Sequence, residues 1–174
     1  MMFQQGDLVV YGATGVCRVE GFGNPDPRDR SGRKYYVLKP LYQDGVVYTP
    51  AEGGKVPMRP VMTREEAVAL IGAIPSIEPE VFRERTLQLL SQRYQSMLQS
   101  GSCQELLKLT MSVYRKRRQA EEQNRRLGMM DERFCKQAER LLFGELAAAL
   151  EIPVDRVPDF IARQVEQPAA GPKA

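Results

Sequence analysis

The chain has 174 residues, a net charge of +3 and no histidine. Without histidine it lacks the commonest metal ligand and the commonest general base near neutral pH, which argues against a zinc site or a histidine-activated nucleophile. Its three cysteines, Cys17, Cys103 and Cys135, never form a Cys-x-x-Cys pair and suit small core positions in a reducing cytosol.

The first residues show no basic stretch followed by an apolar run, and no apolar run approaches the length of a membrane span. A cytoplasmic protein without membrane contact is expected. Residues 3–50 then alternate apolar and polar, punctuated by Gly, Asp and Pro, which is the pattern of short strands. Asp7 to Tyr11 reads as a first strand, Gly12 to Gly15 as a turn, and Val16 to Phe22 as a second strand. In that second strand Cys17 and Val19 face one side, Arg18 and Glu20 the other. The Pro- and Gly-rich segment 23–32 is a loop. Lys34 to Lys39 is a third strand, and Gln43-Asp44-Gly45 is a hairpin turn. Val46 to Thr49 is a fourth strand, with a further one near 55–58.

In the fourth strand Val47 and Thr49 point inward, so Val46 and Tyr48 point out. Two readings stand: these side chains accept a partner strand, or they pack on the helical module that follows.

After Met62 apolar residues recur every three or four positions, the helical period. Thr63 and Glu66 form a capping box for a first helix carrying Ala67, Leu70, Ile71 and Ile74. A second helix is expected from about Val81 to Gln99, with Leu87, Leu90, Tyr94, Met97 and Leu98 as its stripe. Ser102 and Glu105 form a second capping box. They open a third helix with Leu106, Leu109, Val113 and Tyr114 inward, broken at Gly128. Asp131 caps a fourth helix and Asp155 a short fifth. The run Arg115-Lys116-Arg117-Arg118 spreads around its helix. It is read either as a solvated face paired with Glu121 and Glu122 or as a contact for phosphate.

The fold class is therefore α+β: a small SH3-like or Tudor-like β-barrel over residues 1–60, then an all-α domain of about five helices over 61–167, then a disordered tail over 168–174. Cations and anions nearly balance in the helical part, so only local patches could meet nucleic-acid phosphate. No Walker loop, no dinucleotide fingerprint and no catalytic constellation is present, so neither an enzyme nor a cofactor is expected.

The opening Gly6-Asp7-Leu8-Val9-Val10-Tyr11-Gly12, with Gly15-Val16-Cys17, Lys34 to Leu38 and Val47-Tyr48-Thr49-Pro50-Ala51-Glu52, resembles CarD/CdnL bacterial transcription regulators. Tyr94-x-x-x-Leu98-x-Ser100-Gly101 and Ala138-Glu139-x-Leu141-Leu142-x-Gly144-Glu145-Leu146 extend the resemblance into the helices. The resemblance implies a Tudor-like domain that docks on the RNA polymerase β subunit by strand pairing, here through Val46, Val47 and Tyr48. It also implies a helical domain that meets promoter DNA at the upstream edge of the melted region and favours the open complex, largely without reading sequence. A monomer is expected.

This chain departs from the family in two ways. It has no tryptophan where members carry a DNA wedge, and Tyr48 stands where some carry an arginine. Phe82 is the nearest aromatic: either a wedge between base steps or a core anchor. Arg83, Arg85, Arg93, Arg133 and Lys136 are the expected phosphate contacts. The rival reading is a protein–protein adaptor that binds polymerase or another strand-donating partner without touching DNA. A remoter one is an RNA-binding segment at Tyr114 to Arg118, which lacks interleaved aromatics.

Overall fold

A computed structural model describes residues 2–166, so the expected tail at 168–174 lies outside the described residues. Five strands come first: β1 (Leu8–Tyr11), β2 (Gly15–Gly23), β3 (Tyr35–Pro40), β4 (Val47–Pro50) and β5 (Met58–Pro60). Five helices follow: α1 (Arg64–Ala73), α2 (Leu87–Gln99), α3 (Cys103–Glu122), α4 (Met129–Leu150) and α5 (Val157–Glu166). Among the described residues no helix is long and apolar enough to cross a membrane.

The strands form one antiparallel sheet in the order β4-β3-β2-β1-β5. No pairing joins β4 to β5 among the described residues, so the sheet is open, and the expected barrel is not closed by strand hydrogen bonds. Proline disfavours that closure: Pro50 ends β4, Pro57 precedes β5 and Pro60 ends it, and proline brings no N–H to a ladder. Alternation along β2 holds as expected, with Cys17 and Val19 buried and Arg18 and Glu20 exposed. The register shifts between Val19 and Gly21, which marks a bulge. The sheet's core is Phe3, Val9, Cys17, Val19, Tyr36 and Leu38. Its polar handle is satisfied, because the Phe3 N–H donates to the Tyr36 hydroxyl at 3.0 Å. At Gly12, φ is +45° and a Cβ would lie 2.5 Å from Val56 Cγ1; only glycine fits both the turn and that approach.

The helical core gathers Ala67 and Ile71 of α1, Leu90, Tyr94 and Leu98 of α2, Leu106, Leu109 and Val113 of α3, and Phe134, Leu142 and Leu146 of α4. Thr63 makes the full capping box with Glu66. Ser102 caps α3 by accepting from the Glu105 N–H, but no reciprocal arm from Glu105 accompanies it.

Several expected boundaries move. Segment 77–86 is not helical: α2 starts at Leu87, capped by the Thr86 hydroxyl, which accepts from the Leu89 N–H. Leu87 is 69% exposed and leaves the stripe. The helix α3 ends at Glu122, before a turn with Asn124 at φ +54°, and Gly128 is the N-cap of α4 rather than the break in α3. Tyr114 is exposed, its hydroxyl donating to Glu139. Asp131 is no cap; it lies in the first turn of α4 and turns inward. Asp155 sits in a 3-10 turn, Val154–Arg156, that leads into α5.

The two parts meet through α4, which packs on β2. Gly144 lies under Tyr42, where a Cβ would be 3.2 Å from the ring. Beside it Glu145 is 1% exposed and takes both guanidinium nitrogens of Arg59 at 2.6 Å. The same carboxylate accepts from the Met62 N–H at 2.9 Å and from the Cys103 thiol at 2.9 Å, while Arg59 Nε donates to the Gly101 carbonyl at 2.7 Å. This network fastens β5 to α3 and α4. The carboxylate holds the Arg59 guanidinium in its charged form, above its already high range, against the opposing effect of burial.

Candidate protein- and nucleic-acid-binding surfaces

Among the described residues β4 is one edge of the sheet and β5 the other. Tyr48 pairs with Val37 and Thr49 with Tyr36 on one side, and among the described residues no strand covers the other. Thr49 is buried and Val47 half-buried, whereas Val46 is 55% and Tyr48 43% exposed. The helical module therefore leaves the outward pair uncovered, which sets aside the reading that these side chains pack on it. Gly23 shapes the patch: a Cβ there would stand 2.7 Å from Val37 Cγ2 and 3.6 Å from the Tyr48 ring, so its absence lets Val37 and Tyr48 lie close over β2. An edge with unpaired N–H and C=O groups and flanking apolar side chains can accept an extended partner segment.

The expected DNA residues divide. Phe82 is a core side chain, 4% exposed, and its N–H donates to the buried Ser112 hydroxyl at 3.0 Å. Of the two readings of Phe82 the structure takes the core anchor, because this bond fixes the segment's backbone while the ring fills the helical core. Arg93 stacks its guanidinium over the Phe82 ring at 4.2 Å and pairs with Glu84 at 2.8 Å and Glu80 at 3.5 Å. Its charge is already answered by two carboxylates.

Arg85, Arg133 and Lys136 are exposed, and Arg133 leans over the Phe134 ring at 4.9 Å. Arg83 is exposed and donates to Gln119 Oε1 at 3.0 Å. That contact brings Arg83 to a shallow depression it shares with Arg125 and Arg126, beside the first turn of α4. Arg125 was missed in the sequence; the signal was the polar turn Gln123-Asn124-Arg125-Arg126 immediately before Gly128. Exposed guanidinium groups near a helix N-terminus suit phosphate oxygens.

The basic run behaves otherwise than expected. Lys116 is buried, donating to the Tyr94 hydroxyl and to Asp131 Oδ1, each at 3.1 Å. The Tyr94 hydroxyl donates to the same Asp131 oxygen at 2.6 Å, and burial with that carboxylate pushes the phenol well above its usual range. Among the described residues no ion pair joins Arg117 or Arg118 to Glu121 or Glu122; Arg115 instead approaches Glu78 at 3.9 Å. The three cysteines are free and buried. Burial pushes Cys17 up to about 11 and Cys135 up to about 12, as suits inert core thiols.

No curated protein matches the chain. Residues 3–62 match the family model of the CarD-like/TRCF RID domain, a family whose domains interact with the RNA polymerase β subunit. The match covers the whole sheet, including the free β4 edge, and stops one residue before the α1 cap. Residues 3–62 are thus similar to the CarD-like/TRCF RID domain, which is consistent with a CarD/CdnL-like protein.

Proposed function

We propose that this protein is a bacterial transcription regulator that docks on the RNA polymerase β subunit through β4 and steadies the promoter open complex through DNA-backbone contacts of its helices. The observation that carries the reading is the coincidence of a match to the CarD-like/TRCF RID domain with an uncovered edge strand bearing Tyr48, with exposed Val46 immediately before it. Val46, Val47 and Tyr48 supply main-chain pairing and an apolar grip on the β subunit. Arg83, Arg85, Arg133 and Lys136, joined by Arg125 and Arg126, meet phosphates, while the polymerase supplies most of the localisation. Calorimetry of the protein against the β lobe tests the docking. Micromolar binding is expected, and Tyr48→Asp should weaken it at least tenfold with an unchanged circular dichroism spectrum. Undiminished binding by that variant places the docking surface elsewhere.

The adaptor reading keeps a specific support: Phe82 is buried and Arg93 is paired twice, so two of the expected DNA residues are engaged within the protein. Footprinting a polymerase–promoter complex separates the two readings. Protection at the upstream edge of the bubble that Arg83→Ala with Arg126→Ala removes supports DNA contact. Unaltered DNA with polymerase still bound supports the adaptor.

A further inference from the structure

A cavity of about 640 Å³ opens between α1, α3, α4 and α5, away from the β4 edge. Its walls are apolar, formed by Leu70, Ile74, Leu107, Met111, Phe143 and Ile161 among others. Its volume lies within the range of about 300–1,000 Å³ typical of small-molecule sites. The polar side chains of the lining all come from α3: buried Thr110, and Tyr114, Arg115, Arg118, Gln119 and Glu122 towards its C-terminal end.

Both arginines are exposed. Arg118 forms no ion pair among the described residues, and Arg115 only a loose one, 3.9 Å from a Glu78 that is itself 92% exposed. An apolar chamber with cationic donors at one end fits a ligand that is apolar along its length and anionic at one end. A guanidinium offers paired N–H donors that match a carboxylate.

We propose that this cavity binds a long-chain carboxylate, the hydrocarbon lying between α1, α3, α4 and α5 and the head group held by Arg118 and Arg115. The neutral alcohol of the same length lacks the group the arginines hold, and a quaternary ammonium of the same length is repelled by them. The inference stands on the cavity alone and does not depend on polymerase or DNA binding.

The test is calorimetry of the whole protein with decanoate, dodecanoate and tetradecanoate below their micellar concentrations, with circular dichroism to exclude unfolding. Saturable one-to-one binding is expected, tightening about fourfold for each added methylene. Dodecanol and dodecyltrimethylammonium should bind at least tenfold more weakly. The double variant Arg115→Ala with Arg118→Ala should lose at least tenfold in dodecanoate affinity while keeping its fold, because both side chains are exposed. No saturable binding overturns the proposal, as does equal binding of the alcohol or an unchanged affinity in the double variant. If only an acidic amphipathic peptide binds, or the protein self-associates and dodecanoate does not compete, the cavity is a protein-docking face and the assignment falls.

Discussion

The Arg59–Glu145 network makes an asymmetric prediction, because its two partners differ in exposure. The Glu145 side chain is 1% exposed and that of Arg59 34%. Arg59→Ala strands a buried carboxylate with only the Met62 N–H and the Cys103 thiol as donors. Removing one partner of a buried ion pair costs about 3–5 kcal/mol, and this variant should fall in that range. Glu145→Gln preserves volume and leaves Arg59 partly in water. Its amide oxygen can still accept, but its NH₂ faces donors on Arg59 or Met62. One strained or lost hydrogen bond to a charged group is worth about 1.5–3 kcal/mol, so the amide should cost less than the arginine deletion.

Urea unfolding followed by far-ultraviolet circular dichroism reads both variants. With slopes of about 1–3 kcal/mol/M, the Arg59→Ala midpoint should fall by roughly 1–5 M. The apolar pair Arg59→Met with Glu145→Leu should recover much of the loss, since an apolar pair of similar volume often matches a buried ion pair. An Arg59→Ala variant within about 0.5 kcal/mol of the parent, the scatter of ordinary surface substitutions, would refute the view that this pair fastens the sheet to the helices.

Two further outcomes follow from buried groups. Phe82→Ala should lower stability by about 3–5 kcal/mol, measured by thermal or urea unfolding, whereas an exposed wedge would cost little stability and alter only DNA footprints. Cys17 is neutral in the fold with its pKa raised from 9.0 to about 11, so its contribution is intact below pH 9 and is lost as pH rises from there towards 11. Urea midpoints should therefore decline over that interval, and Cys17→Ala should flatten the decline; an equal slope in the variant would assign the effect to other groups.

The parts of this protein that could be read from its sequence are those governed by near neighbours. Alternation along β2 and β4 placed Cys17, Val19 and Thr49 inside and Tyr48 outside, because a strand's faces follow from period two alone; Val46, expected in the fourth strand, lies just before β4 and is exposed. The Thr63 cap was legible because its partner, Glu66, stands three residues away. The Thr86 cap was missed because periodicity through Val81 to Leu87 imitates a helix. A long-range bond, from the Phe82 N–H to Ser112, is what holds that segment irregular.

Sequence by itself thus determined the change from sheet to helices, the inward and outward faces of the strands, and the candidate docking edge. Tertiary structure alone decided that Phe82 is core, that Lys116 turns inward to Asp131, that Arg93 is spent on Glu84 and Glu80, and that Arg59 meets Glu145. Backbone periodicity fixes which way a side chain points relative to its neighbours. Which charge it meets depends on how distant segments pack, and each buried charge takes the partner that packing brings within hydrogen-bond reach.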